Sequence, residues 1–106
     1  MRLVIATAPA DAAKDLARKL VEERLVACVN IVPKVQSIYR WEGKIEDDEE
    51  ALMLIKTTSK MIAPVSSRLK ELHPYDVPEI ISLEIKKGEG NGDYLAWVEG
   101  EVDQSE

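Results

Sequence analysis

Residues Ala27 to Thr58 read as two long β-prone arms around a two-residue turn. Val29, Ile31, Val35, Tyr39 and Trp41 fall on alternate positions of the first arm, the period-2 signature of a strand. Glu42-Gly43 supplies a turn in which glycine can take positive φ, and Lys44–Thr58 runs back. Each arm is about 14–15 residues, where a strand is usually about 5–6. At ~3.3 Å per residue the hairpin reaches roughly 45–50 Å. A compact chain of this size has a radius of gyration of only about 13 Å. Part of the hairpin therefore overhangs its own domain. A lone two-stranded ribbon is marginal in water, so the overhang needs cover, and another copy of the same chain supplies it most simply.

With 106 residues the chain makes one domain over residues 1–100, followed by a polar tail at 101–106 that is expected to fray. The net charge is −6 and no Lys/Arg cluster is present, which argues against nucleic acid and anionic membrane as partners. Cys28 is the single cysteine, so no disulfide can form within the chain, which fits a reducing, cytoplasmic setting. No apolar run approaches the ~18 residues of a membrane span. Leu3–Ala8 imitates a small signal peptide, but it is short and Pro9 and Asp11 follow at once, so it reads as a buried first strand.

Pro9 suits a helix start, and Ala13, Leu16, Ala17, Leu20 and Val21 recur at helical spacing up to Arg24. In the hairpin, Pro33 marks an edge strand or a bulge because it cannot donate to a ladder. The acidic run Glu46–Glu50 reads as solvated surface, and Ala51–Ile55 as a stretch buried on both faces. Thr58 or Ser59 can cap a second helix that begins near Ser59–Met61, carries Ile62, Val65, Leu69 and Leu72, and stops at His73-Pro74. Pro78–Lys86 is a fourth strand, Gly88–Gly92 a flexible turn, and Asp93–Glu99 a short last helix.

The order strand, helix, strand, strand, helix, strand is the split βαβ, ferredoxin-like arrangement, an α+β sandwich. Right-handed crossovers place strands one and three in the centre and both helices on one face. Leu3–Ala6, Ala51–Ile55 and Ile80-Ile81 are apolar on both faces, so the uncovered face is expected to be an interface.

His73 is the only histidine. At a helix end it serves as a C-terminal cap, or as a switch or ligand in the stiff loop His73-Pro-Tyr-Asp-Val-Pro-Glu79. Cys28 reads as a small buried hydrophobe with no basic neighbour in sequence. Tyr39 and Trp41 share a strand face, with Lys56 on the returning arm. They are either cross-strand packing or the wall of a cleft for a small anionic ligand. No carboxylate dyad, evident nucleophile–base pair or glycine-rich phosphate loop stands out, so the chain is expected not to be an enzyme and to need no cofactor.

Ala27-Cys-Val-Asn-Ile-Val-Pro33, Ser37-Ile-Tyr-Arg-Trp-Glu-Gly-Lys44, Lys56-Thr-Thr58, His73-Pro-Tyr-Asp-Val-Pro-Glu-Ile80 and Tyr94-Leu-Ala-Trp97 together resemble the CutA divalent-cation tolerance family. Thr7-Ala-Pro9 and Glu22-Glu-Arg-Leu25 agree with it. The resemblance implies a homotrimeric, cytoplasmic protein built like the PII signalling proteins and tied to heavy-metal tolerance, with Cu(II) or another divalent cation as its partner. Family copper sites carry a cysteine just before Thr-Ala-Pro and a second histidine before His-Pro. Ala6 and Leu72 stand there in this chain, which leaves His73 as the metal candidate. A PII-type sensor would instead take a small ligand in an intersubunit cleft of Tyr39, Trp41, Lys56, His73, Tyr75 and Glu79. A third expectation is a trimeric scaffold for protein partners.

Overall fold

The computed structural model describes residues 1–102; of the tail expected at 101–106, Glu101 belongs to the last helix and Val102 is buried, and residues 103–106 lie outside those described. The elements run β1 (Arg2–Ala8), α1 (Ala10–Glu22), β2 (Cys28–Trp41), β3 (Lys44–Thr57), a 3-10 turn (Ser59–Met61), α2 (Ile62–Leu72), β4 (Ile80–Glu84) and α3 (Gly92–Glu101). The four strands form one antiparallel sheet in the order β2-β3-β1-β4. This is the ferredoxin-like layout with β1 and β3 at the centre.

Alternation along the central strands builds the core. Val4, Ala6 and Ala8 of β1 and Ala51, Met53 and Ile55 of β3 point to one face and are buried. There they meet Ala13, Leu16, Ala17 and Leu20 of α1 and Val65 and Leu69 of α2. The other face carries Leu3, Ile5, Leu52 and Leu54, all half-buried, with Ile81 and Leu83 of β4 54% and 51% exposed. Cross-strand partners share a face, and Ile81 opposes Ile5 while Leu83 opposes Leu3, so these residues form one continuous apolar surface. Ala51–Ile55 is thus covered on one face only within a single chain.

The hairpin is as long as its pattern requires. β2 and β3 stay in register from Cys28 opposite Lys56 to Trp41 opposite Lys44, with a bulge between Val32 and Val35 where Pro33 interrupts the ladder. β1 pairs only with Ala51–Thr57, so the outer part of the ribbon has no third strand. The molecule measures 44 × 28 × 21 Å.

Helix boundaries follow backbone chemistry. α1 stops at Glu22, short of the expected Arg24, because Arg24 turns left-handed at φ 59°. The Leu25 N–H reaches the Leu20 carbonyl and the Arg24 N–H that of Val21, the bonds of a Schellman stop. Neither Thr58 nor Ser59 caps α2 with its side chain. The chain enters through a 3-10 turn instead, which leaves Pro64 in the first turn of α2, where its missing N–H costs nothing. α3 runs two residues past the expected Glu99 and Val102 is buried, because Val98 and Val102 close a small second core with Ala27.

Glu42 and Gly43 both adopt positive φ, 49° and 80°, the type I′ geometry that favours asparagine at the first position. Glu42→Asn is expected to stabilise the protein by about 0.5 kcal/mol, read as a rise in Tm. A second test concerns the link between α1 and α2. Arg68 grips Glu23 with Nε to Oε1 at 2.9 Å and Nη2 to Oε2 at 2.8 Å. Those bonds hold the Glu23 carboxyl below its ordinary value of 4.5. A lowered folded pKa means stabilisation that is present above that value and lost as pH falls through the folded one. Melts recorded from pH 7 down to pH 3 are expected to show a smaller acid loss of Tm in Arg68→Ala than in the parent chain.

Candidate functional site

His73 closes α2 as its C-cap residue, with its backbone N–H on the Leu69 carbonyl at 2.8 Å. Its ring turns inward and is 7% exposed. The Tyr75 N–H donates to Nδ1 at 3.1 Å, so Nδ1 carries no proton. Nε2 therefore holds the proton and donates to the Thr7 carbonyl of β1 at 2.8 Å. Both ring nitrogens are spent, and no lone pair is left for a cation. Ala6 and Leu72 offer no donor atom beside it. No group of three or more His, Cys, Asp or Glu side chains among the described residues converges on a metal position. Within this chain the imidazole is a structural joint between α2, β1 and the loop that follows.

Tyr75 lies against that joint, its ring 4.8 Å from the imidazole. Glu50 of β3 is near enough for its charge to act on the phenol. Burial raises the Tyr75 pKa first of all, and the Glu50 charge and hydrogen bond add to it, with Asp48 and Asp11 behind them. Next along the ribbon, the Tyr39 hydroxyl donates to Asp48 Oδ2. That bond, ahead of burial and of the charges on Asp48, Glu46 and Glu50, pushes the Tyr39 phenol up to about 12. Asp48 and Glu50 share a face because they are two apart on a strand. The result is a chain of contacts, His73–Tyr75–Glu50 and Asp48–Tyr39, at the base of the overhanging ribbon.

The reading of Glu46–Glu50 as solvated surface holds for Asp47, Asp48 and Glu49, which are exposed, and fails at Glu50. Glu50 is only 7% exposed. Glu50 and Asp48 are the site residues that sequence reasoning missed. The available signal was the period-2 alternation continuing from Leu54 and Leu52 into Glu50 and Asp48.

The six expected cleft residues do not meet within one chain. His73, Tyr75 and Tyr39 come together through the two carboxylates, and Glu79 lies exposed at the end of the same loop. Trp41 stands at the ribbon tip, 51% exposed, opposite Lys44. Lys56 sits at the far end of β3, opposite Cys28, while Tyr39 faces Glu46. The strand between Cys28 and Tyr39 spans roughly 30–35 Å, so one chain cannot close a cleft with both Lys56 and Tyr39. Lys56 instead bonds Asn30 Oδ1 across the strands, and the Cys28 Sγ lies 3.9 Å from the same oxygen. Cys28 is half-buried and has a lysine as its cross-strand partner, which its sequence neighbours did not reveal.

A family model described as CutA1 divalent ion tolerance protein matches residues 2–101. The chain belongs to this family. The divalent-cation tolerance protein CutA of Thermus thermophilus is 50% identical over 97 residues, 91% of this chain and 92% of that one. The human protein CutA is 49% identical over 86 residues, and the match spans 81% of this chain but about half, 47%, of the human one. Among solved structures, the apo form of the PII-like protein CutA from Nostoc sp. PCC 7120 superposes with a TM-score of 0.93 at 34% identity. That match covers 97% of this chain and 98% of the Nostoc chain. The CutA1 fold thus accounts for the whole sheet, the long hairpin and α3.

Spectrophotometric titration tests the phenol–carboxylate contact of this CutA1 chain. The parent protein is expected to show one tyrosine ionising at about 12. Asp48→Asn removes the charge and the strongest acceptor, so that tyrosine should ionise at lower pH, towards its ordinary value of about 10.

Proposed function

We propose that this chain acts as a homotrimeric divalent-cation tolerance protein that works by binding rather than by catalysis. Membership of the CutA1 family supports the tolerance role. The observation that carries the assembly is the open sheet face. Ile81 and Leu83 are each about half exposed in a continuous apolar surface with Leu3, Ile5, Leu52 and Leu54. A patch of that composition is the mark of a protein–protein interface rather than of a surface kept in water. The overhanging ribbon makes the same demand, since Ile38 and Ile45 lie 68% and 61% exposed near its tip. Two further copies cover both features, and the number three comes from the family resemblance. Cu(II) or another divalent cation is the proposed effector. The His73 geometry speaks against a family-type copper site on that imidazole, so this reading assigns no ligand residue. The unpaired Cys28 supports a reducing, cytoplasmic setting.

Light scattering is expected to return three times the 11.9 kDa chain mass at micromolar concentration, falling to a smaller species for Leu83→Asp. A folded parent monomer overturns the assembly. In a copper-sensitive host lacking its own relative, the parent chain is expected to restore growth in copper and Leu83→Asp to restore it less. Failure of a well-expressed trimer to restore growth overturns the tolerance role alone.

A further inference from the structure

We propose that His73 is a proton-operated latch on the loop Pro74–Glu79, with Tyr75 as the group it releases. The imidazole joins three parts of the fold through one tautomer. Nε2–H donates to the Thr7 carbonyl of β1, and unprotonated Nδ1 accepts from the Tyr75 N–H. An amide N–H and an imidazolium N–H are both donors, and neither can accept from the other. When His73 takes up a proton at Nδ1, the bond to Tyr75 cannot survive in any ring orientation that keeps the Thr7 bond. A buried polar group left unpaired is costly, so the ring or the loop must move. The loop is the freer of the two. Pro74, Tyr75, Asp76 and Val77 are exposed, and Nδ1 is the partner of the Tyr75 amide, whereas α2 and β1 hold the other side of the ring.

The groups around the latch favour a defined consequence. β1 presents only the Thr7 carbonyl to the ring. β3 brings Glu50 and Asp48, and α1 brings Asp11, all bearing on Tyr75. The loop adds Asp76, and the last turn of α2 carries Lys70 and Glu71. Moving Tyr75 carries its phenol away from the charges of Glu50 and Asp48. A proton taken up on α2 is thereby read out on the ribbon. No residue of this chain acts as a metal ligand in the device, and it stands apart from the tolerance reading, since it needs neither a cation nor a trimer.

The test follows two quantities in the full-length parent protein by NMR: the His73 ring protons, which report its protonation, and amide exchange at Tyr75 corrected for intrinsic pH dependence. Protection at Tyr75 is expected to fall about tenfold in step with His73 protonation, the loss of one hydrogen bond, while the His73 amide bonded to Leu69 stays protected. His73→Asn supplies a second arm. Its side-chain oxygen can accept from the amide two residues on, as in an Asx-turn, but does not titrate, so the acid loss should vanish. Three results overturn the latch: unchanged Tyr75 protection through the His73 titration, a ring that stays neutral until the whole chain unfolds, or the same acid loss in His73→Asn. If His73→Asn does not fold, the parent titration decides alone.

Discussion

The pairing of β2 with β3 is the interaction on which the rest of the molecule leans. Its inner part, Ala51–Thr57 against β1, carries the core side chains that receive α1 and α2. Its outer part continues to Trp41 and Lys44 with no third strand beside it. A bare ribbon needs fastenings of its own, and this one has them. The Gln36 amide donates to Asp47, Tyr39 donates to Asp48, and Lys34 pairs with Glu49 at 3.1 Å. Individually such exposed contacts are weak. Together they hold the register that alternation along each strand already favours. The same length leaves Ile38 and Ile45 in water near the tip.

His73 shows how much one buried side chain can organise. It ends a helix, anchors a strand carbonyl and holds the Tyr75 amide of a loop, all in a single neutral tautomer. Tyr75 then carries that order to Glu50 on the ribbon. This corner contains the His73-Pro-Tyr75 motif, which works through hydrogen bonds to backbone. The absence of donor atoms at Ala6 and Leu72 leaves it that role.

The long strands, the edge position of β2 and the direction of the crossovers were legible because each rests on local periodicity and on chirality. The bulge at Pro33 was legible for the same kind of reason: a residue without an N–H interrupts any ladder. The helix stop at Arg24 was less so. Arginine gives no hint of a left-handed turn, and only the bonds from Arg24 and Leu25 back into α1 reveal it. Glu50 misled more. A carboxylate in an acidic run reads as surface, yet Glu50 is buried and its charge acts on Tyr75 from a distant part of the chain. The six residues of the expected intersubunit cleft are kept apart within one chain by distance. Tyr39 and Lys56 look close on a hairpin drawn as two arms, but they lie near opposite ends of it.

The order of elements, the sheet's central strands and the demand for cover were set by the sequence alone, because hydrophobic period and arm length depend only on near neighbours in the chain. Tertiary structure decided which polar groups meet. It spent both nitrogens of His73 on backbone partners, buried Glu50 and put Lys56 beside Cys28. Those pairings join residues up to 66 positions apart, across β1, β3 and the loop after α2, and no local pattern records them. The physical reason is that hydrogen bonds are satisfied by proximity in the folded chain, whereas burial propensity is written residue by residue.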